Sequence, residues 1–266
     1  MIHVAIVSHG HEKLLIDSQL GGLINNSAEI TIWLKDNKPS AELKRYCEQQ
    51  GVHYTSKSPG MGFGENNNFL FDLVRSEAHF SAADYFIVMN PDISTSRDIL
   101  IELVHRMKSD ACPIATIDLF KDPEHRTPDA NVRQFPNLGS LWKMTTARSL
   151  TKNYDKKTFL MPSTVDWASG AFLAFEAAHY EKLKGFDTAY FMYFEDVDIC
   201  YRSSQLLGKK VLFYPQFSAV HLAAHKNRNL ISQHAYWFLS SFLRFLSRRY
   251  FVYRRVMPTS APVTTK

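Results

Sequence analysis

Apolar positions in the first 120 residues fall into short β-branched runs that alternate with helical-period segments. Residues 3–8 read as a buried strand, and Ser8-His9-Gly10-His11 as the turn after it. Leu14, Leu15, Ile16, Leu20, Leu23 and Ile24 give a helix over 12–24, with Gly21-Gly22 weakening its end. Residues 29–35 are the next strand, 40–50 a helix and 52–55 a short strand. The loop Gly60-Met61-Gly62-Phe63-Gly64 leads into a helix over 65–78. Tyr85-Phe86-Ile87-Val88-Met89 is the best central strand and ends on Asn90-Pro91-Asp92. A helix over 96–108 and a strand over 114–117 follow. Such alternation predicts an α/β fold, a mostly parallel sheet with helices on both faces. Ligands in these sheets bind at the carboxyl ends of the strands, which puts His9, Asp36, the glycine loop and Asp92 on one edge.

The rhythm breaks from Phe120 to Ser163, a proline-rich irregular segment with one short helix expected over 138–146. Regular structure returns as a strand or hairpin edge over 165–175, a helix from Glu176 and another over 196–207. Residues 210–214 read as a strand stopped by Pro215, and 220–222 as extended. A long helix over 230–251 interleaves aromatic residues with arginines, and 258–266 read as a disordered tail.

The chain has 266 residues and a formal charge of +5, which points to an anionic partner. Much of the excess is local: Arg244, Arg248, Arg249, Arg254 and Arg255 lie in or beside the last helix. Aromatics with arginines suit an interfacial membrane helix, although packing on the core is the commoner use of an apolar stripe. No nucleic-acid module is present. Cys47, Cys112 and Cys200 are odd in number and far apart, which argues against a disulfide framework and fits a reducing compartment. The N-terminus reads as a strand and not as a signal peptide, and no apolar run reaches the roughly 18 residues of a membrane span.

The densest chemistry is Tyr193-Phe194-Glu195-Asp196-Val197-Asp198. An acidic first turn of a helix accounts for one or two of these acids. It accounts less well for an aromatic run leading straight into them, because carboxylates beside aromatic rings are costly to bury without a partner. Other candidates are weaker singly. Asn90-Pro91-Asp92 is either a strand-terminal turn or a carboxylate for a hard divalent ion with phosphates. Asp36-Asn37 is either a turn or an acceptor for a nucleobase imide or sugar hydroxyl. The glycine loop lacks the spacing of a nucleotide-hydrolase phosphate loop, but its helix start, with Asn66-Asn67-Asn68, suits a ligand. Trp167 beside Gly170 offers a face for a sugar or is a core indole. His221 alone reads as structural unless Asp92 holds a metal nearby.

Taken in order, these motifs resemble the family 2 glycosyltransferases of GT-A fold, in particular bacterial rhamnosyltransferases of O-antigen and cell-wall assembly. The resemblance spans residues 2–225. It implies inverting sugar transfer from a nucleotide-sugar, dTDP-L-rhamnose for the rhamnosyl members, to an undecaprenyl-diphosphate-linked glycan. Ser8, His9, Asp36, Asn37, Gly62, Gly64, Asn66 and Asn90 would line the donor. Asp92 would hold a divalent cation, Mg2+ or Mn2+, joined by His221, with Asn90 standing where the family's Asp-x-Asp motif has its first acid. Asp196 would be the general base, Glu195 would meet acceptor hydroxyls and Asp198 would orient the helix. Trp167, Gly170 and Arg133 would frame the acceptor, Arg133 taking its diphosphate. The corresponding parts are a nucleotide-sugar half (1–118), an acceptor and catalytic half (119–228), a membrane-associating helix (229–257) and the tail. The implied location is peripheral, on the cytoplasmic face of the membrane, and an oligomer is compatible with the reading. A UDP- or GDP-hexose donor, or a non-catalytic binding protein on the same scaffold, are the alternatives.

Overall fold

A computed structural model describes residues 1–18, 20–24, 29–144, 150–222 and 233–253. Strands β1 (Ile2–Ser8), β2 (Ile30–Asp36), β3 (His53–Thr55) and β4 (Tyr85–Met89) pair in parallel in the order β3-β2-β1-β4. Helices α1 (Glu12–Asp17), α2 (Ala41–Gln50) and α3 (Phe63–Arg75) make the crossovers. The sheet continues through β5 (Ile93–Ser94), α4 (Arg97–Ser109) and β6 (Ile114–Phe120). Next come β7 (Val132–Arg133), α5 (Gly139–Met144), β8 (Ser163–Val165), β9 (Trp167–Ala168), β10 (Phe172–Glu176), α6 (Ala177–Lys182), α7 (Glu195–Leu206), β11 (Val211–His221) and α8 (Gln233–Ser247). The central order is β3-β2-β1-β4-β10-β6-β11-β5, with β8 on β11 and β7-β9 as a separate pair. The first half of the sheet is parallel as expected; the second is mixed, because β10 runs antiparallel between β4 and β6.

Both faces of the sheet are covered, so β1, β2 and β4 are nearly continuous apolar runs. One core, with Val4, Ile6, Ile32, Leu34 and Ile87, lies under α1, α2 and α4. The other, with Ala5, Phe86, Leu173 and Phe175, lies under α3, α6, α7 and α8.

Three local expectations differ from the structure. The helix over 12–24 stops at Asp17 and is followed by a 3₁₀ turn over Leu20–Leu23, as two consecutive glycines disfavour a continued α-helix. Pro215 does not stop its strand. β11 runs through it to His221, and the register against β6 shifts between Tyr214 and Ser218, a bulge that accommodates a residue lacking an N–H. The strand expected over 165–175 is three short strands: Ser163–Val165 pairs with β11 and Phe172–Glu176 with β4 and β6 in the main sheet, while Trp167–Ala168 leaves it to pair with β7. The start of the last helix (230–232), the tail (258–266) and the end of the 138–146 helix lie outside the described residues.

Candidate active site

The parallel strands end together. Ser8 and Asp36 are in register, and Asn37 N–H donates to the Ser8 carbonyl at 2.9 Å. Asp36 is fully buried, accepting from Lys38 N, Ser40 N and the Tyr54 hydroxyl at 3.1–3.2 Å. It therefore builds the turn that presents Asn37. Lys35, also buried, donates to the Asn37 side chain at 2.9 Å and to the Ser58 carbonyl at 3.2 Å, tying this turn to the segment just before the glycine loop. Burial pulls its amine below the ordinary lysine value. Ser8 is buried and His9 exposed at the same edge.

The glycine loop has a packing reason. A Cβ on Gly62 would lie 2.3 Å from the Phe191 carbonyl oxygen, and one on Gly64 would lie 2.6 Å from Phe186 Cβ. Phe63 N–H donates to that same Phe191 carbonyl at 3.0 Å. Asn66 is buried and caps its own loop through Met61 O and Gly62 O. Asn68 bonds Phe186 at both its N–H and its carbonyl. These residues clamp the first turn of α3 onto the strip 186–195; they do not form an open phosphate cradle.

Antiparallel β10 brings a new segment to the donor edge. Phe172 pairs with Met89, and Asn90 N–H donates to the Ala171 carbonyl at 2.9 Å. The adjoining Gly170 N–H donates to Asp196 Oδ2 at 3.0 Å, and Val197 N–H to Asp196 Oδ1 at 2.8 Å. Asn90 and Asp196, 106 positions apart in sequence, are thus joined through Gly170-Ala171. Arg133 is held beside them: its Nε donates to Ala130 O at 2.6 Å and its guanidinium lies 5.6 Å from the Trp167 ring centre. Trp167 is only 7% exposed and its Nε1 donates to Gln134 O, so it supports Arg133 and offers no open face to a sugar.

The three acids separate by environment. Tyr193 and Phe194 both have φ near +70°, a region costly for bulky side chains, and this corner delivers the acids to the start of α7. Burial raises the Asp196 carboxyl, while the two N–H donors and the Arg133 charge pull the other way. Glu195 is 6% exposed, and its Oε2 has no hydrogen-bond partner. Burial, reinforced by the Asp196 charge, pushes it well above the usual carboxylate range. Burial thus favours the protonated form of Glu195, whereas the Gly170 and Val197 N–H groups and the Arg133 charge favour the anion of Asp196. Asp198 is fully buried and takes Arg202 Nε and Tyr253 OH, each at 2.7 Å.

Asp92 and His221 meet across the β5-β11 pairing. His221 pairs with Ile93, and Leu222 N–H donates to the Asp92 carbonyl at 3.0 Å. His221 Nε2 stands 3.4 Å from Asp92 Oδ1, a buried atom with no hydrogen-bond partner. On its other side, Nδ1 lies 2.7 Å from Asp129 Oδ2. Burial disfavours the imidazolium, but the two carboxylates outweigh it and push His221 up to about 9.

The chain is 34% identical over 250 residues to rhamnosyltransferase WbbL of Escherichia coli K12, covering 94% of each. This chain belongs to the family 2 rhamnosyltransferases. It is also 28% identical over 236 residues to an N-acetylglucosaminyl-diphospho-decaprenol L-rhamnosyltransferase of Mycobacterium tuberculosis, covering 76% of this chain and 73% of that one. Among solved structures, GalNAc-T7 with UDP, GalNAc and Mn2+ superposes with a TM-score of 0.69 at 15% identity. That match covers 96% of this chain and about half, 49%, of the other, and shows the GT-A fold. No family model matches.

In the transferase, α8 packs its apolar stripe on the acidic corner. Phe194 packs on Phe238, Phe242 and Phe245, and Tyr193 OH lies 3.1 Å from His234 Nδ1. Ser241 Oγ donates to the Met192 carbonyl at 3.0 Å. Just past α8, in a π-helical turn over Arg248–Val252, two half-buried arginines turn inward: Arg248 pairs with Asp187 and Arg249 donates to Pro136 O, while Arg244 of α8 stays exposed beside the Tyr190 ring. Asp129 was missed; Thr127-Pro128-Asp129 reads as an ordinary loop, and its partner lies 92 positions away.

Proposed function

We propose that this transferase moves L-rhamnose from dTDP-L-rhamnose to a hydroxyl of an undecaprenyl-diphosphate-linked glycan, with inversion, on the cytoplasmic face of the membrane. The observation that carries the reading is the short path from the donor edge at Asn90, through Gly170-Ala171, to the ionisable carboxyl of Asp196. A hydroxyl is a poor nucleophile, and a positioned carboxylate removes its proton as attack proceeds. A carboxyl raised by burial is a stronger base than a solvated one, and Arg133 stays close enough to steady its anion. A single displacement needs one base, which leaves Glu195 neutral and Asp198 structural. Ser8, His9, Asn37 and Asn90 are the donor-side residues, with Asp36 and Lys35 shaping their turn. The names of the two rhamnosyltransferase relatives support the sugar and, for the mycobacterial one, a lipid-diphosphate acceptor.

Asp92 and His221 fit a divalent cation: an unpartnered buried carboxylate oxygen faces an imidazole nitrogen. Two protein ligands leave the remaining positions of Mg2+ or Mn2+ to diphosphate oxygens and water. The cation would neutralise charge developing on the leaving diphosphate. Incubation with dTDP-rhamnose and a lipid-diphosphate GlcNAc mimic should yield a product heavier by one rhamnosyl residue. EDTA should abolish that product and added Mn2+ or Mg2+ restore it; undiminished turnover in EDTA contradicts the cation role.

Membrane contact rests on charge and on an apolar stripe. All 26 acidic residues lie within 1–198; residues 199–266 carry 11 lysines and arginines and no acid. The outer face of α8 and its π-helical extension exposes Tyr236, Leu239, Leu243 and Phe251, although the opposite face is already packed on the core. Among the described residues no helix is long and apolar enough to cross a membrane. Because α8 supports the acidic corner, deleting it would confound the test. The double substitution Leu239→Ser/Leu243→Ser should lower partition onto anionic vesicles about tenfold or more. Equal binding of both proteins, or indifference to anionic lipid, contradicts this surface.

A further inference from the structure

We propose that Asp129 is the positioning residue of the cation site, holding His221 in the tautomer that turns Nε2 to the ion. This rests on Asp92 and His221 being the cation ligands.

A histidine ligand must present a lone pair, and which nitrogen presents it is decided by what the other nitrogen bonds. His221 Nδ1 lies 2.7 Å from Asp129 Oδ2. An ionised carboxylate only accepts, so Nδ1 carries a hydrogen, and in the neutral ring that binds an ion the lone pair is then on Nε2. Nε2 is also the nitrogen on the Asp92 side, 3.4 Å from the unpartnered Oδ1. The imidazole is therefore gripped on one edge and directed by the other at the atom that needs a partner.

Asp129 is itself fixed. Its second oxygen accepts Ala130 N–H at 2.7 Å, and its own N–H donates to the Leu119 carbonyl at the end of β6 at 2.8 Å. The flanking Pro128 bridges to Phe120. The backbones of the two ligands are set by the β5-β11 pairing and by Leu222 N–H on the Asp92 carbonyl. Three separate segments, after β4, after β6 and at the end of β11, thus converge on one short line: Asp92, His221, Asp129. Carboxylate partners of ligating histidines raise ligand basicity and fix ring orientation, and their loss typically weakens metal binding 10–100-fold.

The test is a Mn2+ titration of the full chain with dTDP present, read by the electron paramagnetic resonance of free Mn2+. H221A should weaken Mn2+ strongly. D129A should raise the Mn2+ Kd by about 10–100-fold, and D129N, whose amide oxygen still accepts from Nδ1–H, should recover most of the loss. D129A/H221A should bind no more weakly than H221A alone, because Asp129 acts only through the imidazole. The nitrogen-15 spectrum of His221 with Mg2+ and dTDP should show the hydrogen on Nδ1, a readout that needs no variant to fold. A wild-type Mn2+ Kd in D129A beside a weakened H221A overturns the role of Asp129 and spares the site. A further loss in the double variant, or a hydrogen on Nε2, also overturns it. An unchanged Mn2+ Kd in H221A removes the cation site itself.

Discussion

Asp196→Asn is expected to lower kcat by about 10²–10⁴-fold, the usual contribution of a positioned base, while dTDP affinity stays within a few-fold of wild type. The amide has one oxygen where the carboxylate has two. One of the N–H donors of Gly170 and Val197 then loses its acceptor, at about 1–3 kcal/mol of stability. The rate loss is far larger than that local cost explains. A pH profile adds a second check. The base works only when ionised, and burial raises its folded-state carboxyl. Activity should therefore be present above a pKa higher than that of an ordinary aspartate and be lost as pH falls through it. A variant with wild-type kcat, or an acid limb at the ordinary aspartate value, removes Asp196 from the chemistry.

Asp198→Ala should do the opposite: cost about 3–5 kcal/mol of stability, the penalty for breaking a buried ion pair by removing one partner. Asp198 has no exposure and Arg202 little, and the guanidinium also reaches the carbonyls of Leu183 and Gly185 at 2.5 and 2.9 Å. Those contacts set the turn before Phe186, on which Gly64 packs. Asp198 also receives the Tyr253 hydroxyl at 2.7 Å, so its loss releases the end of the π-helical turn after α8 as well. Denaturant melts should show a midpoint shift of that size, with nucleotide affinity retained by the folded fraction. A shift below about 1 kcal/mol would mean that the pair is more solvated than its burial indicates. The two neighbouring acids are thus separable by assay, one by rate and one by stability.

The parallel half of the fold was legible because its cause is local. Buried β-branched runs such as 85–89 and helical-period segments such as 97–109 carry their own signal in a window of a dozen residues. The order of the acids was legible too, but not their division of labour. Burial of Glu195 depends on α3 closing over it, and the fit of Gly64 against Phe186 is a tertiary fact with no local pattern. The reach of β11 beyond Pro215 depends on β6 offering a register that skips the missing N–H. The arginines of and beside the last helix suggested an outward basic face; Asp187 and the Tyr201 ring, contributed from elsewhere in the chain, turn Arg248 and Arg249 inward, and only Arg244 stays exposed as expected. The aromatic spacing at 238, 242 and 245 was the available signal for a packed helix face, and Phe194 is what it packs on.

The central claim, inverting transfer of rhamnose from a thymidine diphosphate donor, is tested most directly by a donor panel with linkage analysis. Purified full-length protein, Mn2+ and a lipid-diphosphate GlcNAc acceptor are combined in turn with dTDP-rhamnose, UDP-hexoses and GDP-hexoses. The account predicts that only dTDP-rhamnose turns over at a useful rate and that the product anomer is inverted relative to the donor. Turnover of a UDP- or GDP-hexose with dTDP-rhamnose inert, or a product of retained configuration, would contradict it.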